Sequence, residues 1–190
     1  MQQTRAMTLT PTLAVSSAAV VGVALLTAFC AQVSIQIGPV PQTLQTFAVL
    51  GGSAYLGSRR GAASMALYVA MGLVLPVYAG GAHGWSEVTS ASGGYLLGFI
   101  LAGYMTGLMR ERLGTTWRGT IPAMLAGSVC VYVPGLLWFH HELPALSWSY
   151  VIHWGFTVFI IGDLIKIAGA SAVLDPSAPW GRLIDKIRLP

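Results

Sequence analysis

The 190 residues suffice for a single domain, and their composition excludes most soluble folds. Only 8% of the residues are charged, against about 25% in typical soluble domains. Hydrophobic residues make up 55% of the chain, and the mean hydropathy is +0.69. A soluble protein of this kind lacks the polar residues to cover its surface, whereas a chain surrounded by lipid does not need them. The composition therefore predicts an integral membrane protein with one domain, residues 1–190.

Several other classes are disfavoured by the residues that are present. The net charge is +4, but the chain has no basic run or stripe that would bind nucleic acid. The two cysteines, Cys30 and Cys130, are too few for a disulfide framework or a zinc site and are expected to pack in the interior. The sequence has no Walker A or GxSxG motif, so we expect neither ATP hydrolysis by this chain nor serine-hydrolase activity.

Six apolar stretches follow one another along the chain, separated by Gly, Pro and charged residues. The first has 22 residues, which is enough to span about 30 Å and too many for the apolar region of a signal peptide. Phe29 precedes Cys30 where a lipoprotein cleavage site needs a small residue, so we expect a retained helix. The predicted transmembrane helices span residues 12–33, 44–57, 62–75, 93–109, 120–139 and 147–174.

The basic residues support an all-α bundle of six transmembrane helices. Nine of the ten fall on one side of such a bundle, and the opposite loops contain Glu87 and Glu142 but no Lys or Arg. Because basic residues concentrate in cytoplasmic loops, we predict that both termini are cytoplasmic. The nine are Arg5, Arg59, Arg60, Arg110, Arg112, Arg118, Arg182, Lys186 and Arg188.

Small residues recur every four positions on three predicted helices, a spacing that lets helix backbones approach closely in a membrane. Packing within the bundle is one interpretation. For the first helix the alternative is a face that docks another membrane protein, because this helix has two small-residue faces. These are Ala14, Ala18 and Gly22, then Ala24 and Ala28; the other stripes are Ala62, Ala66 and Ala70, then Gly94, Gly98 and Ala102.

Asp163 and Lys166 lie inside the sixth predicted helix, whereas the other ionisable acidic and basic residues lie in loops, in tails or at helix ends. A charged residue in mid-membrane costs about 2.5–3.5 kcal/mol on insertion scales. The two residues are three positions apart and therefore share a helix face. One interpretation is a structural ion pair. The other is a binding point for a urea or amide, which presents N–H and C=O groups side by side.

Two loops on the outer side are rich in hydrogen-bonding groups. The first is either a solvated loop or a lid over a cavity, and it contains Gln36, Gln42, Thr43, Gln45 and Thr46. The second covers residues 78–95, where glycines permit close backbone approach. Backbone N–H groups at the start of the fourth predicted helix are expected to be able to hold an anion.

The histidines do not form a convincing catalytic or metal site. His140, His141 and Glu142 differ from the zinc-binding HExxH motif, because residue 145 is Ala and Pro144 interrupts the helix. We expect them in a solvated outer loop. His153 is expected to pack between helices.

Four segments together resemble the BioY family, the biotin-binding S components of energy-coupling factor (ECF) transporters. They are residues 38–47 (GPVPQTLQTF), 76–81 (PVYAGG), 93–99 (GGYLLGF) and 162–166 (GDLIK). The resemblance covers nearly the whole chain in order. One departure is Ser90-Ala91-Ser92, where the family usually has Gly-Pro-Thr.

The resemblance implies biotin uptake across a bacterial cell membrane by a multi-pass protein. It implies six helices, an outward cavity covered by the first loop, and biotin as ligand without any resident cofactor. The ligand-binding pair of the family maps to Asp163 and Lys166. The implied partners are an ECF transmembrane coupling protein, docked on Ala14, Ala18 and Gly22, and separate ATP-binding-cassette ATPases.

The chemistry of biotin agrees with this assignment. Asp163 and Lys166 can satisfy its ureido ring, while its carboxylate must rely on neutral donors because the outer side has no Lys or Arg. The further predicted binding residues are Gln42, Gln45, Tyr78, Ser92 and Tyr95. The alternatives are an S component or solitary transporter for another small vitamin-like metabolite, and a membrane enzyme or structural protein.

Overall fold

The structure, a computed structural model, describes residues 11–179. Two short strands, β1 (Ser34–Ile35) and β2 (Gln42–Thr43), pair antiparallel, and Ser34 lies opposite Thr43. The α-helices are α1 (Pro11–Gln32), α2 (Gln45–Leu56), α3 (Ser58–Gly72), α4 (Trp85–Val88), α5 (Gly93–Leu113), α6 (Trp117–Glu142), α7 (Trp148–Gly155) and α8 (Ile160–Leu174). The predicted all-helical fold is confirmed for this part of the chain.

Three helical segments of the described residues are long and apolar enough to cross a membrane, namely Ala14–Gln32, Trp117–Glu142 and Trp148–Leu174. The helices α2 and α3 have 12 and 15 residues. At 1.5 Å per residue they extend about 18 and 22 Å, less than the roughly 30 Å of a bilayer core. The structure therefore has the apolar helices of a membrane protein, and α2 and α3 are shorter than the thickness of a bilayer core.

The third predicted helix begins earlier in the structure than its apolar pattern indicates. The helix α3 starts at Ser58 instead of residue 62 and ends at Gly72 instead of residue 75. The Glu111 carboxylate, from α5, accepts hydrogen bonds from the Ser58 backbone N–H at 2.7 Å and from its hydroxyl at 3.1 Å. Since these contacts cap the helix start, Arg59 and Arg60 belong to the first turn of α3.

The sixth predicted helix is interrupted. The helix α7 ends at Gly155, Phe156 has non-helical backbone angles, and a 3-10 turn at Thr157–Phe159 leads into α8. The Gly155 carbonyl accepts a hydrogen bond at 2.8 Å from the Tyr95 hydroxyl, which takes the place of a helical N–H donor. The predicted end at Asp175 is confirmed, because this residue has extended backbone angles.

The glycine stripe of the fourth predicted helix packs as expected. A Cβ added at Gly94 or Gly98 of α5 would lie 2.5 Å from the Pro134 carbonyl oxygen or 2.8 Å from that of Val131, both on α6. Ala102 is fully buried. The stripe on the third predicted helix does not pack inside the bundle, because Ala66 and Ala70 are exposed and Gly61 makes the close approach to α5 instead.

The two small-residue faces of α1 have different environments. Ala24 and Ala28 are buried against the bundle. Ala14, Ala18 and Gly22 are exposed, and a Cβ added at Gly22 would meet no atom within 4 Å. One face of α1 thus packs internally, and the other is left open.

The Arg110 side chain forms hydrogen bonds to residues near the ends of several helices. Its guanidinium donates to the carbonyl oxygens of Ala54 at 2.7 Å and of Thr115 and Leu174 at 3.1 Å. The α2–α3 turn, the α5–α6 connection and the end of α8 therefore lie together. Of the nine basic residues predicted to lie on the cytoplasmic side, five belong to the described residues: Arg59, Arg60, Arg110, Arg112 and Arg118. The other four, Arg5, Arg182, Lys186 and Arg188, lie outside the described residues.

Candidate functional site

A cavity lies among the first loop, the segment before α5, and the helices α5, α6 and α8. The centre of a water-sized sphere can move through about 60 Å³ of it. Its walls are largely apolar, with several polar groups that converge on it. The lining residues are Val40, Pro41, Thr43, Gln45, Thr46, Tyr78, Ala79, Glu87, Ser92, Tyr95, Leu96, Phe99, Val131, Tyr132, Phe159, Asp163 and Lys166.

Asp163 and Lys166 form an ion pair in the wall of this cavity. The Lys166 Nζ lies 2.6 Å from Asp163 Oδ1, and the side chains are only 11% and 6% exposed. Both residues belong to α8, which begins at Ile160 after the helix break. The break therefore places this pair near the start of a new helix.

Hydrogen bonds from three other elements surround the pair. Lys166 Nζ also donates to the Thr43 carbonyl at 2.9 Å and to the Thr46 hydroxyl at 2.7 Å. The Thr46 hydroxyl donates to Asp163 Oδ1 at 2.9 Å, and the Tyr132 hydroxyl donates to Asp163 Oδ2. The three ammonium protons thus have acceptors, while Asp163 Oδ2 retains capacity for a further donor.

Aromatic rings form the walls beside the pair. Tyr132 makes edge-to-face contacts with Tyr95 and Phe156, whose ring centroids are 6.4 and 4.8 Å away. The ring centroid of Phe159 lies 6.4 Å from that of Tyr132. The site therefore offers one carboxylate and one ammonium within an apolar, aromatic enclosure, which suits a small ring with adjacent N–H and C=O groups.

Gln45 connects the first loop to α3. It is buried, its Nε2 donates to the Tyr68 hydroxyl, and its Oε1 accepts from Thr43 at 2.8 Å. The Tyr68 hydroxyl donates in turn to the Val77 carbonyl at 3.2 Å. Gln45 lines the cavity, but its amide already has protein partners.

Tyr78 also lines the cavity, with its side chain 1% exposed. Its hydroxyl donates to the Val69 carbonyl at 2.7 Å. Burial raises the pKa of Tyr78 to about 12, and the nearby charge of Glu87 adds to this rise. Tyr78 is therefore a neutral part of the wall at physiological pH.

Three other predicted binding residues have distinct positions. Tyr95 lines the cavity, but its hydroxyl donates to Gly155. Ser92 lines the cavity as the residue before α5, and its hydroxyl makes no cap hydrogen bond. Gln42 is not among the lining residues, and its Nε2 donates to the Val158 carbonyl at 3.3 Å. Ser92 is thus the best placed of the three to offer a donor.

At the start of α5, two of the backbone N–H groups that were expected to hold an anion donate to nearby carbonyl groups instead. The Gly93 N–H donates to the Ser90 carbonyl at 2.9 Å, and the Tyr95 N–H donates to the Ser92 carbonyl at 3.0 Å. These turns precede the first helical hydrogen bonds and use the donors locally. The anion site at this position stays a prediction, and these two N–H donors are not available to it.

The histidines are placed differently from the prediction. His140, His141 and Glu142 form the last turn of α6 and not a loop. His140 packs on Trp148 with a centroid separation of 4.1 Å, while the His141 side chain is 77% exposed. Within residues 11–179, no group of three or more His, Cys, Asp or Glu residues could hold a metal ion.

Among the lining residues, Tyr132, Thr46 and Glu87 were not predicted as binding residues. The Tyr132 hydroxyl donates to the second oxygen of Asp163, and its signal in the sequence is a hydroxyl within the apolar stretch 129–137 of α6. Thr46 bridges both members of the pair, and its only signal is its polar neighbourhood in the first loop. Glu87 adds a second carboxylate to the lining, and nothing in its local pattern indicates this position.

The chain matches known proteins over most of its length. Residues 2–181 match the BioY family. The biotin transporter BioY of Thermotoga maritima is 33% identical over 147 residues, which are 75% of this chain and 83% of that protein. The probable biotin transporter BioY of Pyrococcus horikoshii is 31% identical over 151 residues, 79% of this chain and 88% of that protein.

The fold also has a counterpart among solved structures. The crystal structure of the S-component for biotin from an ECF-type ABC transporter superposes with a TM-score of 0.79 and 23% identity. The match covers 92% of this chain and 95% of that chain. The similarity in fold agrees with the sequence match over residues 2–181, and the chain belongs to the BioY family.

Proposed function

We propose that this chain is a membrane-embedded, high-affinity biotin-binding subunit that serves biotin uptake. It captures biotin from outside and delivers it inward with an ATP-driven coupling module. Residues 1–190 form a single substrate-binding domain in a bacterial cell membrane. Biotin is its transported ligand, and it needs no cofactor of its own.

The arrangement around Asp163 and Lys166 carries this proposal. A ureido ring has two N–H donors and one carbonyl acceptor, and the pair supplies a carboxylate and an ammonium 2.6 Å apart. Tyr132 and Phe159 provide the apolar surface that a thioether ring requires. The similar proteins in Thermotoga maritima and Pyrococcus horikoshii are named biotin transporters, which favours biotin over another vitamin-like metabolite.

A ligand panel tests the choice of substrate. The purified protein is expected to bind biotin more tightly than thiamine, riboflavin or folate by at least about a thousandfold, because only biotin combines a ureido ring with a small apolar ring. Equilibrium dialysis with each labelled vitamin measures this ratio. Tight binding of another member of the panel, with no binding of biotin, would contradict the proposal.

The membrane arrangement is part of the same proposal. Six crossings, formed by α1, α2, α3, α5, α6 and the α7–α8 pair, place both termini in the cytoplasm. The grouping of helix ends around Arg110 supports this topology, because Arg59, Arg112 and the nearby Arg118 then lie on the cytoplasmic side.

Cysteine labelling in intact cells tests the topology. In a background without Cys30 and Cys130, cysteines at His83 and Ala145 are expected to react with an impermeant maleimide. A cysteine at Arg59, which is also exposed, is expected to react only after the membrane is opened. Reaction at all three positions in intact cells would contradict six crossings.

The coupling partner is proposed to dock on the open face of α1. Ala14, Ala18 and Gly22 are exposed, and the small-residue spacing lets a second helix approach closely. We place the ATP hydrolysis in separate subunits of the ATP-binding-cassette type. The chain itself is then a transport protein and not an enzyme.

A further inference from the structure

A second cavity is a groove on the surface of the bundle, between α6 and α8. The centre of a water-sized sphere can move through about 430 Å³ of it, against about 60 Å³ in the first cavity. Its α6 wall extends from Leu125 to Leu136, and its α8 wall includes Leu164. Because Val129 and Leu164 line the groove and have exposed side chains, the groove opens outwards, away from the centre of the bundle.

The position of the groove along α6 sets its depth in a membrane. It is formed by two of the segments that are long and apolar enough to cross a membrane, Trp117–Glu142 and Trp148–Leu174. Its α6 wall starts eight residues after the start of α6 and stops six residues before its end. At 1.5 Å per residue these offsets are about 12 and 9 Å, so both ends of the groove lie within a hydrocarbon core of about 30 Å on which α6 is centred.

The lining of the groove is complementary to an uncharged chain. Of the described residues that line it, only Asp163 has a carboxyl, ammonium or guanidinium group, and Lys166 and Tyr132 already donate to that carboxylate. The Ser128 hydroxyl donates to the Met124 carbonyl at 3.0 Å within α6. A polar or charged occupant would therefore lose its hydration without gaining a partner, whereas a hydrocarbon chain has no such cost.

Asp163 and Tyr132 line both the groove and the first cavity. The hydrogen bond from the Tyr132 hydroxyl to Asp163 therefore lies in the partition between the two spaces. Electrostatic interactions weaken as the effective dielectric constant rises, and water raises it far above the value of a hydrocarbon. The occupant of the groove therefore affects the strength of the interactions that Asp163 makes with Lys166 and with a ligand.

We infer that the groove binds one acyl chain of a membrane lipid and that this chain keeps water away from Asp163. The effect on the ligand cavity rests on the proposed function, in which the ureido ring binds at the Asp163–Lys166 pair. The groove extends about 16 Å along α6, which is room for most of one chain, because each leaflet supplies about half of a 30 Å core. The helix α1, with the proposed docking face, packs on α2 and α3, and none of its described residues lines the groove. This separation favours a lipid over the coupling partner as the occupant.

Native mass spectrometry of the purified full-length protein tests the lipid site, with dioleoylphosphatidylcholine in mixed micelles as the probe. The wild-type protein is expected to retain one lipid after the detergent is removed. Val129→Trp places a large ring in the groove and is expected to lower the retained fraction by about fivefold or more. Leu164→Trp fills the groove from the opposite wall and is expected to have the same effect.

Val21→Trp is the matched control, because Val21 is an exposed valine of a membrane helix, α1, outside the groove. It is expected to retain one lipid like the wild type. No retained lipid on the wild-type protein, or equal retention in the Val129 and Val21 variants, would overturn the lipid site while the proposed function stands.

Titration calorimetry with biotin, with and without the same lipid, tests the effect on the ligand cavity. Added lipid is expected to raise the biotin affinity of the wild type by about threefold or more, because it lowers the dielectric constant beside Asp163. In Val129→Trp the ring takes the place of the chain, so added lipid is expected to leave the affinity unchanged. An equal response in the two proteins would overturn the role of the chain at Asp163. If the wild type binds no biotin in either condition, the proposed function fails and this role with it, while the mass spectra still decide the lipid site.

Discussion

Asp163→Ala is expected to weaken biotin binding by about 10²–10³-fold. Breaking a buried ion pair by removing one partner costs roughly 3–5 kcal/mol, because the other charge remains buried without compensation. Lys166 would retain only the neutral acceptors of Thr43 and Thr46, and the Tyr132 hydroxyl would lose its acceptor. The biotin dissociation constant, measured by titration calorimetry on protein that elutes as a single species, checks this result.

Asp163→Asn is expected to be milder, with a loss of about tenfold. Its amide oxygen still accepts a hydrogen bond, but hydrogen bonds to charged groups are stronger by about 1 kcal/mol than neutral ones. Asp175→Asn is the control, since Asp175 bonds to Ser177 beyond α8 and is not part of the cavity. If Asp163 were only structural, both Asp163 variants would lower thermal stability and leave the affinity of the folded fraction unchanged.

Ala18→Trp is expected to abolish biotin uptake in cells while the purified variant keeps wild-type affinity. The side chain of Ala18 is exposed in the middle of the open α1 face, so a large ring there does not disturb the bundle. It does prevent the close approach of a partner helix, on which association in a membrane depends. Uptake of labelled biotin and binding to the purified protein are the two measurements.

Ala66→Trp provides a matched control for this variant. Ala66 is also an exposed alanine of a membrane helix, α3, outside the proposed docking face. Uptake is expected to remain normal in this variant. Loss of binding in purified Ala18→Trp would show that the face packs within the molecule, and normal uptake would show that it docks nothing.

The helix positions were largely predictable because each depends on a local pattern. The apolar stretches and their punctuation by Gly, Pro and charge place the helices without knowledge of the tertiary structure. The start of α3 was not predictable, because the Glu111 carboxylate that caps Ser58 is 53 positions away along the chain. The break at Phe156 depends in the same way on the distant hydroxyl of Tyr95.

The candidate site was likewise predictable only where its residues have a local signal in the sequence. Asp163 and Lys166 stand out in the sequence because charge is rare in an apolar helix and their spacing puts them on one face. Tyr132 and Thr46 complete the site through hydrogen bonds across 31 and 117 positions, respectively, to Asp163, and no local pattern encodes such contacts. The two faces of α1 look alike in sequence, and only the packed bundle shows which is buried.

The central claim is that the Asp163–Lys166 pair binds the ureido ring of biotin, and Lys166→Met tests it most directly. This substitution removes the ammonium and keeps most of the side-chain volume, so the carboxylate alone remains in the cavity. The biotin dissociation constant of the correctly folded variant, compared with that of the wild type, is the decisive measurement. We predict a loss of at least about 10²-fold in affinity. An affinity within about threefold of the wild-type value would remove the pair from the binding site and contradict the claim.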